Sequence, residues 1–101
     1  MEEINIEQLE QLKKEGKKIL LDFYGVWCSP CRVLMPKLQE IKNNYDNIIF
    51  AKMDVDQNKE YAMSLGIRSV PTVMIFNGEK LVDRSSGVND DSYYKNILNS
   101  L

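Results

Sequence analysis

Residues Lys17 to Leu38 read KKILLDFYGVWCSPCRVLMPKL, and the apolar pattern changes its period inside this stretch. Up to Tyr24 the apolar residues run almost without a break, bounded by Lys18 and Gly25, as in a strand covered on both faces. From about Ser29 they recur as on a helix, with Leu34, Leu38, Ile41 and Tyr45 four, three and four residues apart. Both cysteines of the chain, Cys28 and Cys31, lie at that junction, behind Trp27 and separated by Ser29 and Pro30.

Outward from the junction, strands and helices keep alternating. On the N-terminal side Asn5 and Gln8 have the spacing of a capping box, Ile6, Leu9 and Leu12 share one helical face, and Gly16 ends that helix. On the C-terminal side IIFAKMDV, from Ile48, reads as a second buried strand. Tyr61, Ala62 and Leu65 make a short helix stopped by Gly66. TVMIF and KLVDR flank Asn77 and Gly78, so the last two strands pair antiparallel through a tight hairpin. Asn89 or Asp90 caps a final helix with Tyr94, Ile97, Leu98 and Leu101 in one stripe. This order implies one α/β domain over residues 1–101, with a mixed sheet covered by helices on both faces.

Composition narrows the function. The 101 residues, 44% hydrophobic and 28% charged, suit one small globular domain rather than a disordered chain. Thirteen basic and fifteen acidic residues are scattered, which leaves no electrostatic footprint for nucleic acid or an anionic membrane. No apolar run is long enough to span a membrane. The acidic opening MEEINIEQLEQL lacks the basic and apolar regions of a secretory signal, so a reducing compartment, the cytoplasm, is expected. The five glycines form no G-x-G-x-x-G fingerprint, and no bound cofactor is expected.

At the start of a helix, Cys28 faces unpaired backbone N–H groups and the positive end of the helix dipole, which favours thiolate. Cys31 lies on the same helical face within disulfide reach. Pro30 lacks an N–H that the first turn leaves unpaired anyway, and it stiffens the dipeptide between the sulfurs. Other readings of the pair stay open. The cysteines could be buried and inert, or two chains could pool theirs around zinc or an iron–sulfur cluster. With no histidine in the chain, a protease-type cysteine nucleophile and a one-chain zinc site both lack partners.

Taken together, WCSPC, the preceding DFYGVW, Pro36 five residues after Cys31, AKMDVDQN, GIRSVPT, the FNG turn and Gly87 resemble the thioredoxin family over nearly the whole chain. The resemblance implies the thioredoxin fold, with a central sheet of four or five strands. Only Met1 to Ile4 precede the first helix, so the family's first strand must be short or missing here. It also implies roles. Cys28 would attack a client disulfide and Cys31 would resolve the mixed disulfide. Asp22, which interrupts the apolar strand, would be a buried general base, with Lys52 facing it. Val70 and Pro71 would form a cis-proline loop beside the cysteines, where the Val70 backbone pairs with an extended client. Trp27, Ser29, Pro30, Val70, Pro71, Gly87 and Val88 would then make the client-binding surface. From the pattern alone Asp22 could instead sit at an exposed strand edge, Lys52 could be solvated, and Pro71 could be an ordinary trans proline. Pro36 reads as a structural kink in its helix.

The function implied is a monomeric protein disulfide reductase, re-reduced by a separate thioredoxin reductase. Ser29 stands where the family usually has glycine, so the direction of electron flow is less firmly set than the chemistry. An oxidant or isomerase of the same fold, or a binding or chaperone module without turnover, are the alternatives.

Overall fold

The computed structural model describes residues 1–101. Its elements are β1 (Glu2–Glu3), α1 (Ile6–Lys14), β2 (Lys18–Tyr24), α2 (Ser29–Lys42), β3 (Ile48–Asp54), α3 (Lys59–Ser64), β4 (Thr72–Asn77), β5 (Lys80–Ser86) and α4 (Asp91–Asn99). They build one five-stranded sheet in the order β1-β3-β2-β4-β5. β2 is central, parallel to β3 and antiparallel to β4, and β4 and β5 form an antiparallel pair. The first strand is present but short: Glu2 and Glu3 pair in parallel with Ala51 and Lys52.

Alternation along β2 divides the core into two layers. Leu20 packs with Leu34, Leu38 and Ile41 of α2 and with Tyr94 and Leu98 of α4. Ile19, Leu21 and Phe23 point the other way, to Leu9 of α1, with Tyr61 and Leu65 of the α3 region beside them. Two-sided burial explains why β2 reads as a continuous apolar run. Each of Leu34, Leu38 and Ile41 contributes roughly 1.5–3 kcal/mol by leaving water. Those three contacts hold α2, and so the cysteine pair at its start, against the sheet.

Local signals mostly act where the sequence places them. The Asn5 side chain accepts from the Gln8 N–H while the Gln8 side chain accepts from the Asn5 N–H, completing the capping box. Gly16 follows α1 in a left-handed conformation, φ 75°. Three details differ. Ile6, grouped with Leu9 on one face, is exposed, because it is the first helical residue and overhangs a groove lined by Asp56, Gln57 and Tyr61. Tyr45 lies beyond the end of α2, yet it still packs against the cluster of Leu34, Leu38 and Ile41 while its hydroxyl donates to Asn99. The hairpin turns one residue late: Asn77 pairs with Lys80, so Gly78 and Glu79 are the reversal. Gly78 has φ 61°, as the first position of a type II′ turn requires, and its N–H donates to the Lys17 carbonyl at 2.8 Å.

No helix is long and apolar enough to cross a membrane.

Candidate active site

β2 delivers the chain to the site and a tight turn starts α2. The Tyr24 carbonyl accepts from Val55, and the Cys28 N–H closes back on the Gly25 carbonyl at 3.1 Å. Cys28 is the N-cap of α2, in an extended conformation (φ −91°, ψ 112°). Its Sγ stands 3.2 Å from the Cys31 N–H, in the position a Ser or Asp oxygen takes in ordinary caps. The two cysteines form a disulfide with Cα atoms 5.3 Å apart. Both are only 3% exposed, more covered than the loop-like residues around them imply, since Trp27, Ser29 and Pro30 are all exposed.

A second loop packs on the first. The Val70–Pro71 bond is cis, and the Val70 carbonyl lies 3.5 Å from Cys28 Sγ. The Pro71 carbonyl in turn accepts from the Gly87 N–H at 2.9 Å, with Gly87 at φ 78°. Thus Cys28, Val70, Pro71 and Gly87, far apart in the chain, meet through successive backbone contacts. Val88 continues from Gly87 as an exposed apolar residue, while Val70 is half-buried. Trp27 is 62% exposed and donates its indole N–H to Asp56 at 2.7 Å. A pocket of about 100 Å³ opens between Trp27 and the Ile67–Val70 loop. On the opposite side a cavity of about 250 Å³ is lined by Tyr24, Gly25, Val26, Cys31, Arg32 and Met35.

Asp22 is fully buried in the central strand, on the sheet face that α2 covers, and neither carboxylate oxygen has a hydrogen-bond partner. Burial pushes its pKa up from 3.8 to about 7, with the positive charge of Lys52 acting in the opposite sense. Lys52 is its register partner on β3. It forms no ion pair with Asp22; its ammonium lies over the Tyr24 ring, 5.4 Å from the centroid. The exposed-edge placement of Asp22 is therefore excluded, and Lys52 acts on the acid only at a distance. Pro36 lies inside α2, where its missing N–H cannot bond the Arg32 carbonyl.

Four neighbours were not singled out by sequence. Asp56 anchors the indole, and only its place in the polar turn after β3 hinted at it. Arg32 donates to the Val26 carbonyl at 2.8 Å, pinning the turn before the motif. Gly25 lies under the indole: a Cβ there would sit 2.7 Å from a Trp27 ring carbon. Tyr24 donates its hydroxyl to Glu3. None of these contacts is local in sequence except those of Gly25 and Arg32, and neither follows a recognisable motif.

The thioredoxin family model matches residues 3–100. Thioredoxin of Mycoplasmoides gallisepticum is 37% identical over 94 residues, covering 93% of this chain and 94% of the relative. Among solved structures, Fasciola hepatica thioredoxin is 34% identical with a TM-score of 0.83, each chain covered to 98%. Mitochondrial thioredoxin 3 of Saccharomyces cerevisiae, in its oxidised form, is 27% identical with a TM-score of 0.86, covering 98% of this chain and 94% of that one. With a Cys28–Cys31 disulfide set at the start of α2 in a matching fold, the molecule is a thiol–disulfide oxidoreductase, and the chain belongs to the thioredoxin family.

Proposed function

We propose that this chain reduces disulfides in client proteins, with Cys28 as nucleophile and Cys31 as resolving thiol. The observation that carries the assignment is the N-cap position of Cys28: in the reduced protein the Cys31 N–H and the helix dipole face its sulfur and favour thiolate. The thiolate attacks one sulfur of a client disulfide. That S–S bond breaks, a Cys28–client bond forms, and the first client sulfur leaves as a thiolate that takes a proton from water. Cys31 then gives its proton to the Asp22 carboxylate and attacks Cys28 Sγ. The Cys28–Cys31 disulfide closes and the second client thiolate departs, so two electrons pass from the dithiol to the client. A carboxylate with a pKa of about 7 is matched to this proton transfer at neutral pH.

A more ionised thiol is also a weaker nucleophile, so thiolate stabilisation alone accelerates attack only a few-fold. Holding Cys31 one turn from the mixed disulfide makes resolution intramolecular, a larger effect. In this reading Trp27, Ser29, Pro30, Val70, Pro71, Gly87 and Val88 form the client-binding surface. The Val70 carbonyl, beside Cys28, is placed to pair with an extended client backbone. In this reading the chain acts as a monomer. Electrons return through a separate thioredoxin reductase, and the setting is a reducing compartment, the cytoplasm.

Trapping tests the roles. Cys31→Ser accumulates client mixed disulfides through Cys28, and Cys28→Ser does not; equal trapping by Cys28→Ser reverses the assignment. Equilibration with a glutathione couple separates a reductase from an oxidant. A strongly oxidising pair, closer to about −120 mV than to about −270 mV, would replace reduction by oxidation as the role.

A further inference from the structure

Lys52 stands next to Asp22 across β2 and β3, yet the carboxylate is left without a partner. Alternation places Asp22 and Tyr24 on the same face of β2, and Lys52 and Asp54 on the same face of β3. The Lys52 ammonium acts electrostatically on the buried carboxylate, yet it lies over the Tyr24 ring, 5.4 Å from the centroid. That ring is fixed from the edge of the sheet. Its hydroxyl donates to Glu3 Oε1, while Glu3 Oε2 accepts the Asp54 N–H at 3.1 Å. The two-residue β1 therefore clamps the ring that receives the lysine.

We propose that Tyr24 is a positioning residue that holds the Lys52 ammonium away from Asp22, so that the buried carboxylate stays without an ion-pair partner. This deepens the general-base role proposed for Asp22 and rests on it for its catalytic meaning. Lys52 as a residue is half-buried, whereas docking its ammonium on the fully buried Asp22 would cost desolvation. An opposite charge within about 4–6 Å lowers a carboxylate by roughly one to three pH units, so direct pairing would leave Asp22 ionised and a poor proton acceptor at pH 7. The other charged or titratable groups around Asp22 are few. β3 contributes Asp54, β1 contributes Glu3 through Tyr24, the start of α2 brings the Cys28–Cys31 disulfide, and the Met1 ammonium acts on Lys52. α4 contributes Tyr94, whose hydroxyl accepts from the Asn89 N–H, and β4 offers only uncharged Val73 in register.

The test is the titration of the Asp22 carboxyl carbon by NMR in the full-length oxidised chain. Tyr24→Leu removes the ring and lowers the midpoint by roughly half a unit to one and a half units. Tyr24→Phe keeps the ring and retains most of the wild-type midpoint. Adding Lys52→Met to Tyr24→Leu abolishes the downward shift. An unchanged or raised midpoint in Tyr24→Leu, an equal drop in Tyr24→Phe, or a drop that survives Lys52→Met overturns the proposal. Should Tyr24→Leu not fold, nuclear Overhauser contacts between the Lys52 side-chain methylenes and the Tyr24 ring in the wild type decide the matter, and their absence overturns it. This readout follows the Asp22 proton itself. An unchanged rate of mixed-disulfide resolution in Asp22→Asn would remove the general-base role and leave the positioning result standing.

Discussion

Replacing Asp22 by asparagine removes an acid that the fold accepts neutral and penalises when charged. In the unfolded chain this carboxyl releases its proton at 3.8, and burial in the folded chain pushes that up to about 7. Between those values the native state holds a proton that the unfolded state has lost, so stability falls as pH rises. The full loss is present above about pH 7, and it vanishes below 3.8, where both states are protonated. At about 1.36 kcal/mol per unit, the interval corresponds to about 4 kcal/mol. Asparagine has no such dependence. Its own packing cost is the same at every pH and cancels when the variant is compared with the wild type at two pH values. Urea unfolding of the oxidised proteins at pH 4 and pH 8, followed by Trp27 fluorescence, gives the comparison. With a urea slope of about 1–3 kcal/mol per molar, the variant's midpoint advantage grows by on the order of 2 M from pH 4 to pH 8. An equal midpoint difference at both pH values would refute the reasoning, because Asp22 would then titrate as an ordinary surface carboxylate.

Three further outcomes follow from the same contacts. The rate of mixed-disulfide resolution rises with pH through an inflection at about 7 as Asp22 becomes a base, and that inflection disappears in Asp22→Asn when followed by stopped-flow. Gly25→Ala puts a methyl group against the Trp27 ring, breaks the bond to Asp56, shifts the emission of the chain's single tryptophan and raises KM for a protein client; unchanged emission counts against that packing. Asn5→Ala removes half of the capping box and costs about 1 kcal/mol, seen as a Tm lower by roughly 4–8 °C, with no effect on the rate of disulfide exchange.

What the sequence made legible and what it left hidden divide along a physical line. β2 and α2 were legible because two-sided burial leaves an unbroken apolar run and one-sided burial leaves a 3.6-residue rhythm, both local patterns. Cys28 and Cys31 were legible for the same reason: cap geometry and disulfide reach depend on two residues three positions apart. Asp22 was conspicuous as a carboxylate in the middle of an otherwise apolar strand, but its lack of any partner depends on where Lys52 and Tyr24 turn, which no spacing encodes. The cis state of Val70–Pro71 came only from family resemblance, since an X-Pro bond by itself favours trans. Asp56 and Glu3 escaped notice because each acts across the sheet or from a separate loop. The hairpin slipped by a residue because Asn77 finds a ladder partner in Lys80, leaving glycine to supply the positive φ alone.

The mechanism stands on the ionisation of Cys28 at the start of α2, and the pH dependence of alkylation of the reduced chain measures it most directly. With the modified residue identified by peptide mass, Cys28 reacts first, and its rate rises with a midpoint below the ordinary thiol value of about 8.5. A midpoint at or above that value, or faster labelling of Cys31, would contradict the account.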